Sequence, residues 1–195
     1  MNKKCYRYFA GLIQSQEKWL NKMAARGYRL VRTGKALYEF AACEAGEYQY
    51  CVEFIGGKSR SGAEDYKQFL EDMGYRVFYK NLNLQWSVGK VRWHPWAEKG
   101  GRIATSATTL DRELLIVEKR SDGKPFALHT TTEDKIQNLK QMQKPWGFSM
   151  LMFGACGLIM RHWLWMLLVG FYLIPAALYQ VEIWKLNKEA SAKEW

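Results

Sequence analysis

WGFSMLMFGACGLIMRHWLWMLLVGFYLIPAALYQVEI, residues 146–183, contains two formal charges, Arg161 and Glu182. A single helical crossing of a bilayer needs about 20 apolar residues, so this run is too long for one span, and Arg161-His162 interrupts it near its middle. Splitting there gives a short piece, 146–160, and a full-length one, 163–183. The charged pair reads as the tip of a transmembrane helical hairpin. Trp163 and Trp165 lie at one interface, with Trp146 and Trp184, followed by Lys185, at the other, because indole rings favour the headgroup level. Lys135, Lys140 and Lys144 precede the run and Lys185, Lys188 and Lys193 follow it, whereas the tip carries one Arg. The positive-inside bias then places both termini in the cytoplasm, in a two-span, multi-pass arrangement in the inner cell membrane. The alternative is a re-entrant first piece: at 1.5 Å per residue, 146–160 reaches about 22 Å against a hydrocarbon core of roughly 30 Å. Gly154, Ala155 and Gly157 are expected to let the helices pack closely. No Asp, Glu or Lys lies deep in either piece, which argues against a proton relay or ion path.

The remaining sequence has the content of a domain. The chain has 195 residues, is 48% hydrophobic and carries a formal charge of +10. Within residues 1–145, 25 Lys and Arg face 16 Asp and Glu, but they are scattered and no basic run of five or six occurs, so nucleic-acid binding is not favoured. Cys5, Cys43, Cys51 and Cys156 form no CxxC or Cys/His cluster, which suits free thiols in a reducing compartment. After Met1-Asn2-Lys3-Lys4 no apolar segment follows, so export of this portion is not expected.

Residues 5–90 read as alternating helix and strand. Trp19, Leu20 and Met23 fall at helical spacing before Gly27-Tyr28-Arg29, and Tyr66, Phe69, Leu70 and Met73 do so before Gly74-Tyr75-Arg76. Each is an amphipathic helix stopped by a C-cap Gly, with Ser15 as the expected N-cap of the first and Ser61-Gly62-Ala63-Glu64 a capping box for the second. The clearest strand is EYQYCVEF, residues 47–54, with Tyr48, Tyr50, Val52 and Phe54 on one face. Together with strands at 4–9, 28–31, 35–41, 75–79 and 84–88, the order is β-α-β-β-β-α-β-β. That order predicts an α+β fold with one antiparallel sheet and both helices on one face. Residues 91–111 lack periodicity and read as a loop, 112–120 and PFALH at 125–129 as added strands, 131–145 as a juxtamembrane helix and 185–195 as a cytoplasmic tail. The expected cytoplasmic domain is thus 1–130.

Sites are sparse. GGKS, residues 56–59, resembles the end of a phosphate-binding loop, but Val52 stands where the pattern needs Gly, leaving a turn. Ser15 and Lys18 have SxxK spacing without the partner motifs. His94, His129 and His162 have no neighbours at metal-ligand spacing, no carboxylate pair stands out for acid and base work, and no cofactor is called for. The paired tyrosines Tyr48 and Tyr50 could act as a stacking platform for single strands, but a sheet face under helices accounts for them. The loop Trp93-His94-Pro95-Trp96, with Lys99 and Arg102, is the candidate partner-binding surface, since Trp and Arg concentrate in interface hot spots.

EKWLNKMAARGYRL at 17–30, LYEF at 37–40, YQYCVEF at 48–54 and DYKQFLEDMGYRVFYKNLNLQWS at 65–87 together resemble the bacterial family called domain of unknown function 2812. Arg26 stands where the family has Lys, and Tyr28 and Tyr75 where Trp is common. The resemblance implies frequent C-terminal membrane spans and a link to PadR-like transcription regulators, and it brings no catalytic residues. The expected function is a membrane-anchored cytoplasmic interaction or regulatory module with the lipid bilayer and a protein as partners. A membrane-associated enzyme is the alternative, and any small-molecule ligand is unspecified.

Overall fold

The computed structural model describes residues 2–56, 58, 60–82, 86–88, 91–93, 103–104, 113–128, 132–161 and 163–191. The chain divides into two compact units, Met1–His129 and Thr130–Trp195. The first is mixed α+β. Its elements are β1 (Lys3–Tyr6), α1 (Ile13–Ala24), β2 (Tyr28–Thr33), β3 (Leu37–Ala42), β4 (Tyr48–Phe54), α2 (Arg60–Asp72), β5 (Arg76–Lys80), β6 (Trp86–Val88), β7 (Val91–Trp93), β8 (Ile103–Ala104) and β9 (Leu114–Arg120). They form antiparallel three-stranded sheets in the orders β1-β3-β2 and β4-β9-β5, with a smaller third sheet β6-β7-β8.

β9 organises the unit. Leu114, Leu115, Ile116, Val117 and Glu118 are all buried, the pattern of a strand covered on both faces and paired on both edges. One face of its sheet carries Leu115 and Val117, packed with Ile55 and Leu70 against Tyr66 of α2, Val77, Tyr79 and the Phe126–Leu128 segment. The opposite face carries Tyr50, Ile116 and Glu118, paired across β4 and β9, and over it lies β2. The Leu30 N–H donates to the Tyr50 hydroxyl at 2.7 Å, and the Thr33 hydroxyl to the Tyr79 carbonyl at 2.8 Å.

α1 buries Gln16, Leu20, Met23 and Ala24, the i, i+4, i+7, i+8 stripe of an amphipathic helix. Its Trp19 ring meets Tyr38 at 4.9 Å and Phe40 at 5.5 Å, both steeply tilted, fixing the helix on the sheet that contains β3. The helix ends because Gly27 adopts φ +79°, and a Cβ there would stand 2.9 Å from the Cys43 carbonyl oxygen.

The second unit holds α3 (Thr132–Met160) and α4 (Leu164–Ser191). Arg161 takes φ +51° between them, a left-handed residue of the kind that ends helices. α4 then runs back along α3. Phe153 meets Trp165 at 5.9 Å and Tyr172 at 5.2 Å, while Gln143 donates to the Ala176 carbonyl and the Gln180 side chain, each at 3.1 Å.

Several expectations need correction. The sheet is not single, nor do the helices share one face of it: β9 enters between β4 and β5 and separates their sheet from β1-β3-β2, while α2 covers the face of β4-β9-β5 opposite β2. The stretch 91–111 contains the short strands β7 and β8, whereas 125–128 has no strand and packs irregularly. Ser15 lies inside α1, whose cap residue Leu12 makes no side-chain bond, and Ser61 lies inside α2. Residues 132–160 form one uninterrupted helix. Of the small residues, Gly157 faces Trp165, with a built Cβ 3.1 Å from the Trp165 Cβ, whereas Gly154 faces open space.

Gly27→Ala and Gly74→Ala both place a side chain at positive φ, a cost of about 1–2 kcal/mol. A Cβ at Gly74 meets nothing within 4 Å. Denaturant unfolding should therefore show Gly27→Ala to be the more destabilised of the two by about 1 kcal/mol or more; equal losses would contradict the close approach to Cys43.

Candidate functional site

The polar centre of the first unit is Glu118, placed by β9 on a buried face. A buried carboxylate must be paired or hydrogen-bonded. Arg29 donates through Nε and Nη2 to Glu118 Oε1 at 2.9 and 2.7 Å, and the Tyr50 hydroxyl donates to Oε2 at 2.7 Å. The Arg29 guanidinium also stacks 4.2 Å from the Tyr48 ring centroid. Its hydrogen bond to Glu118 holds the Arg29 pKa above its ordinary value, and burial pushes the Tyr50 phenol far upward. Both groups thus stay protonated as donors.

β4 is an outer strand of its sheet, and α1 closes its open edge. Asn21 accepts from the Tyr50 N–H at 2.9 Å and donates to the Tyr50 carbonyl at 2.8 Å, while Glu17 accepts from the Val52 N–H at 2.8 Å. Between helix and strand remains an open groove of about 330 Å³ lined by Glu17, Asn21, Tyr48, Gln49, Ser121 and Phe126. Glu17 and Asn21 are committed to the strand, and Gln49 Oε1 is buried without a hydrogen-bond partner. The groove has an aromatic wall from Tyr48 and Phe126. Its lining contains no nucleophile held by a base.

Lys80, buried at the end of β5, donates to the Gly34 and Lys35 carbonyls and lies 5.0 Å from the Tyr38 ring centroid. Burial lowers its pKa from 10.5 to about 8. Around α2, Tyr66 donates to Glu53 at 2.6 Å and Tyr79 to Glu64 at 3.1 Å, so these carboxylates fasten the helix to its sheet. Lys58 of the GGKS turn stacks on Tyr66 at 4.9 Å.

The second unit presents a different surface. Phe148, Leu151, Leu158, Ile159, Met166, Leu167, Phe171, Ile174 and Leu178 are all exposed. Within Leu164–Lys188 of α4 an 18-residue window has a mean hydropathy of 1.7, and only 11% of that window is buried. A helix in the core of a soluble protein would be mostly covered. Among the described residues this is the one helix long and apolar enough to cross a membrane. α3 does not qualify because its first half carries Glu133, Asp134, Lys135, Lys140 and Lys144, leaving the apolar part short.

Of the sequence-derived interface residues, Arg161, Trp163, Trp184 and Lys185 are exposed. Trp146 and Trp165 turn into the seam between the helices, meeting Tyr172 at 5.8 Å and Phe153 at 5.9 Å. His162 lies outside the described residues. Trp93 belongs to β7, its backbone registered with Trp86, whereas His94, Trp96, Lys99 and Arg102 fall outside the described residues, as does His129. Among the described residues no group of three metal-ligating side chains occurs, and all four cysteines are free. Sequence reading missed Glu118 and Lys80. Their signal was a charge beside or within an apolar strand, Glu118 after LLIV and Lys80 after VFY.

Glu118→Gln should cost about 2 kcal/mol, less than the roughly 3–5 kcal/mol for fully buried pairs, because the Arg29 side chain is 34% exposed. A double-mutant cycle with Arg29→Met should return a coupling of about 1 kcal/mol or more; simple additivity would rule out the pair as a tie between strands. For Lys80 the folded pKa, about 8, lies below the unfolded value of 10.5, so between these values the unfolded chain binds more protons and stability rises with pH. The stability of wild type relative to Lys80→Met should therefore increase across that window, and a flat difference would contradict the burial of the ammonium.

The family model described as protein of unknown function (DUF2812) matches residues 13–151. No curated protein and no solved structure matches the chain. The matched region runs from the start of α1 through every strand of the two large sheets except β1, including β9 with its buried Glu118, and into α3, well over half of the sequence. On that extent, the chain belongs to the DUF2812 family.

Proposed function

We propose that the protein is a membrane-anchored interaction or regulatory module. The α3–α4 pair enters the inner membrane as a two-span anchor, and the α+β unit works on the cytoplasmic side. The observation that carries this reading is the uncovered apolar surface of α4, since contiguous exposed apolar surface marks a membrane or partner contact. The lysines on both sides of the apolar stretch, in the first half of α3 and the last turns of α4, against a single Arg at the turn, support cytoplasmic termini. Phe69 of α2 and Met73 just after it are each half exposed and one turn apart, a small apolar spot where a protein partner would seat. Family resemblance makes a PadR-like transcription regulator the first partner to seek.

The protein should remain in the membrane pellet after alkaline carbonate extraction. A fluorescent reporter fused after Trp195 should be bright, and a phosphatase that works only outside the cytoplasm should be inactive at the same position. Extraction by carbonate would remove the anchor from this reading, while phosphatase activity after Trp195 would leave one span with the end of α3 re-entrant.

A further inference from the structure

The chain's positive charge is concentrated near its beginning. The first 38 residues hold nine Lys and Arg against one acid, Glu17, and so account for eight of the ten net charges of the sequence. The fold gathers several of them on one flank of the first unit. Lys18, Lys22 and Arg26 recur every four residues along and just beyond α1, which at about 100° per residue confines them to roughly 80° of the helix circumference. All three are exposed, and none forms an ion pair with a described residue. Glu17 points away, held by the Val52 N–H.

β1 and the residues after it extend this flank. The Arg7 guanidinium lies 5.4 Å from the Trp19 ring centroid, beside the middle of α1. The Lys3 ammonium lies 4.2 Å over the Tyr28 ring, just past the end of the helix. On either side of Arg7 in the sequence, Tyr6 is 77% and Tyr8 61% exposed. Like charges four residues apart on a helix repel one another, so the stripe is a standing cost to α1 that an external anion would relieve.

We infer that the outer face of α1, together with residues 3–8, docks on the anionic phospholipid headgroups of the leaflet that holds the anchor. This inference rests on the membrane reading of α3 and α4. Two features favour lipid over nucleic acid or an acidic protein. Exposed tyrosines interleaved with cations suit the headgroup region, where an aromatic ring sits half in apolar surroundings. A chain already tethered to a bilayer also meets that surface at a high effective concentration.

The test is lysine footprinting with an amine-reactive reagent, read by mass spectrometry, on the full chain in nanodiscs of phosphatidylcholine alone or mixed with phosphatidylglycerol. Lys3, Lys18 and Lys22 should react about threefold or more slowly in the anionic discs and recover in 0.5 M salt, as expected for screened surface charges. Lys58, on the α2 side, serves as the internal reference. The variant Lys18→Gln/Lys22→Gln/Arg26→Gln changes only exposed groups and should lose the lipid-dependent protection of Lys3. Equal reactivity in both discs, with the protein co-eluting with each, overturns the docking and leaves the anchor standing. Failure to co-elute with either disc overturns the anchor and the docking with it. Protection by added RNA or polyglutamate, without an effect of phosphatidylglycerol, overturns lipid as the occupant.

Discussion

A carboxylate held among apolar side chains must find its partners inside the protein, and in this fold Glu118 draws them from two other strands. Arg29 comes from β2 and Tyr50 from β4, so the demand for charge compensation at one position joins the two larger sheets. Tyr50 is the hinge of this arrangement, because the same hydroxyl that donates to Glu118 accepts from the Leu30 N–H. Apolar contact alone would let one sheet slide over the other. Hydrogen bonds with fixed partners set the position of β2 over its neighbour.

How far this was legible in the sequence depends on the range of the signal. The two Gly-Tyr-Arg stops, the helices before them and the alternating strand at 48–54 are local patterns, and local geometry wrote them plainly. The site of β9 is not local. LLIV announces a strand covered on both faces, yet nothing nearby says that its neighbours are β4 and β5, more than thirty residues earlier. Once β9 is placed between them, β4 and β5 form a sheet apart from β1-β3-β2, and the single sheet expected from element order is divided. The caps failed for a related reason: Ser15 and Ser61 have the right side chains, but tertiary contacts begin α1 and α2 one to two residues before them. For the candidate site, the apolar helices were legible because exposed Leu and Phe follow from composition. The inward turn of Trp146 and Trp165 was not, since tryptophan serves a membrane interface and a helix seam equally well.

The two units carry complementary chemistry. Between residues 146 and 181 the helical pair offers an apolar surface with Arg161 as its one charge, and the α+β unit offers the exposed cations Lys18, Lys22 and Arg26. Counting charge over residues 1–145 hides this, because an acid-richer stretch after residue 38 dilutes the basic beginning. The polar groups along β4 show the opposite economy: Asn21 and Glu17 are spent on backbone.

The position of β9 also orders events in time. A ribosome releases β4 and β5 well before Leu114–Arg120, and until that strand arrives both lack the neighbour that joins them. Exposed strand edges recruit other chains. α1, by contrast, is made before β4 and can occupy its outer edge as soon as Tyr50 and Val52 emerge. Asn21 and Glu17 therefore act as a guard during synthesis, limiting the nascent β4 to one open side, the side reserved for a strand of its own chain.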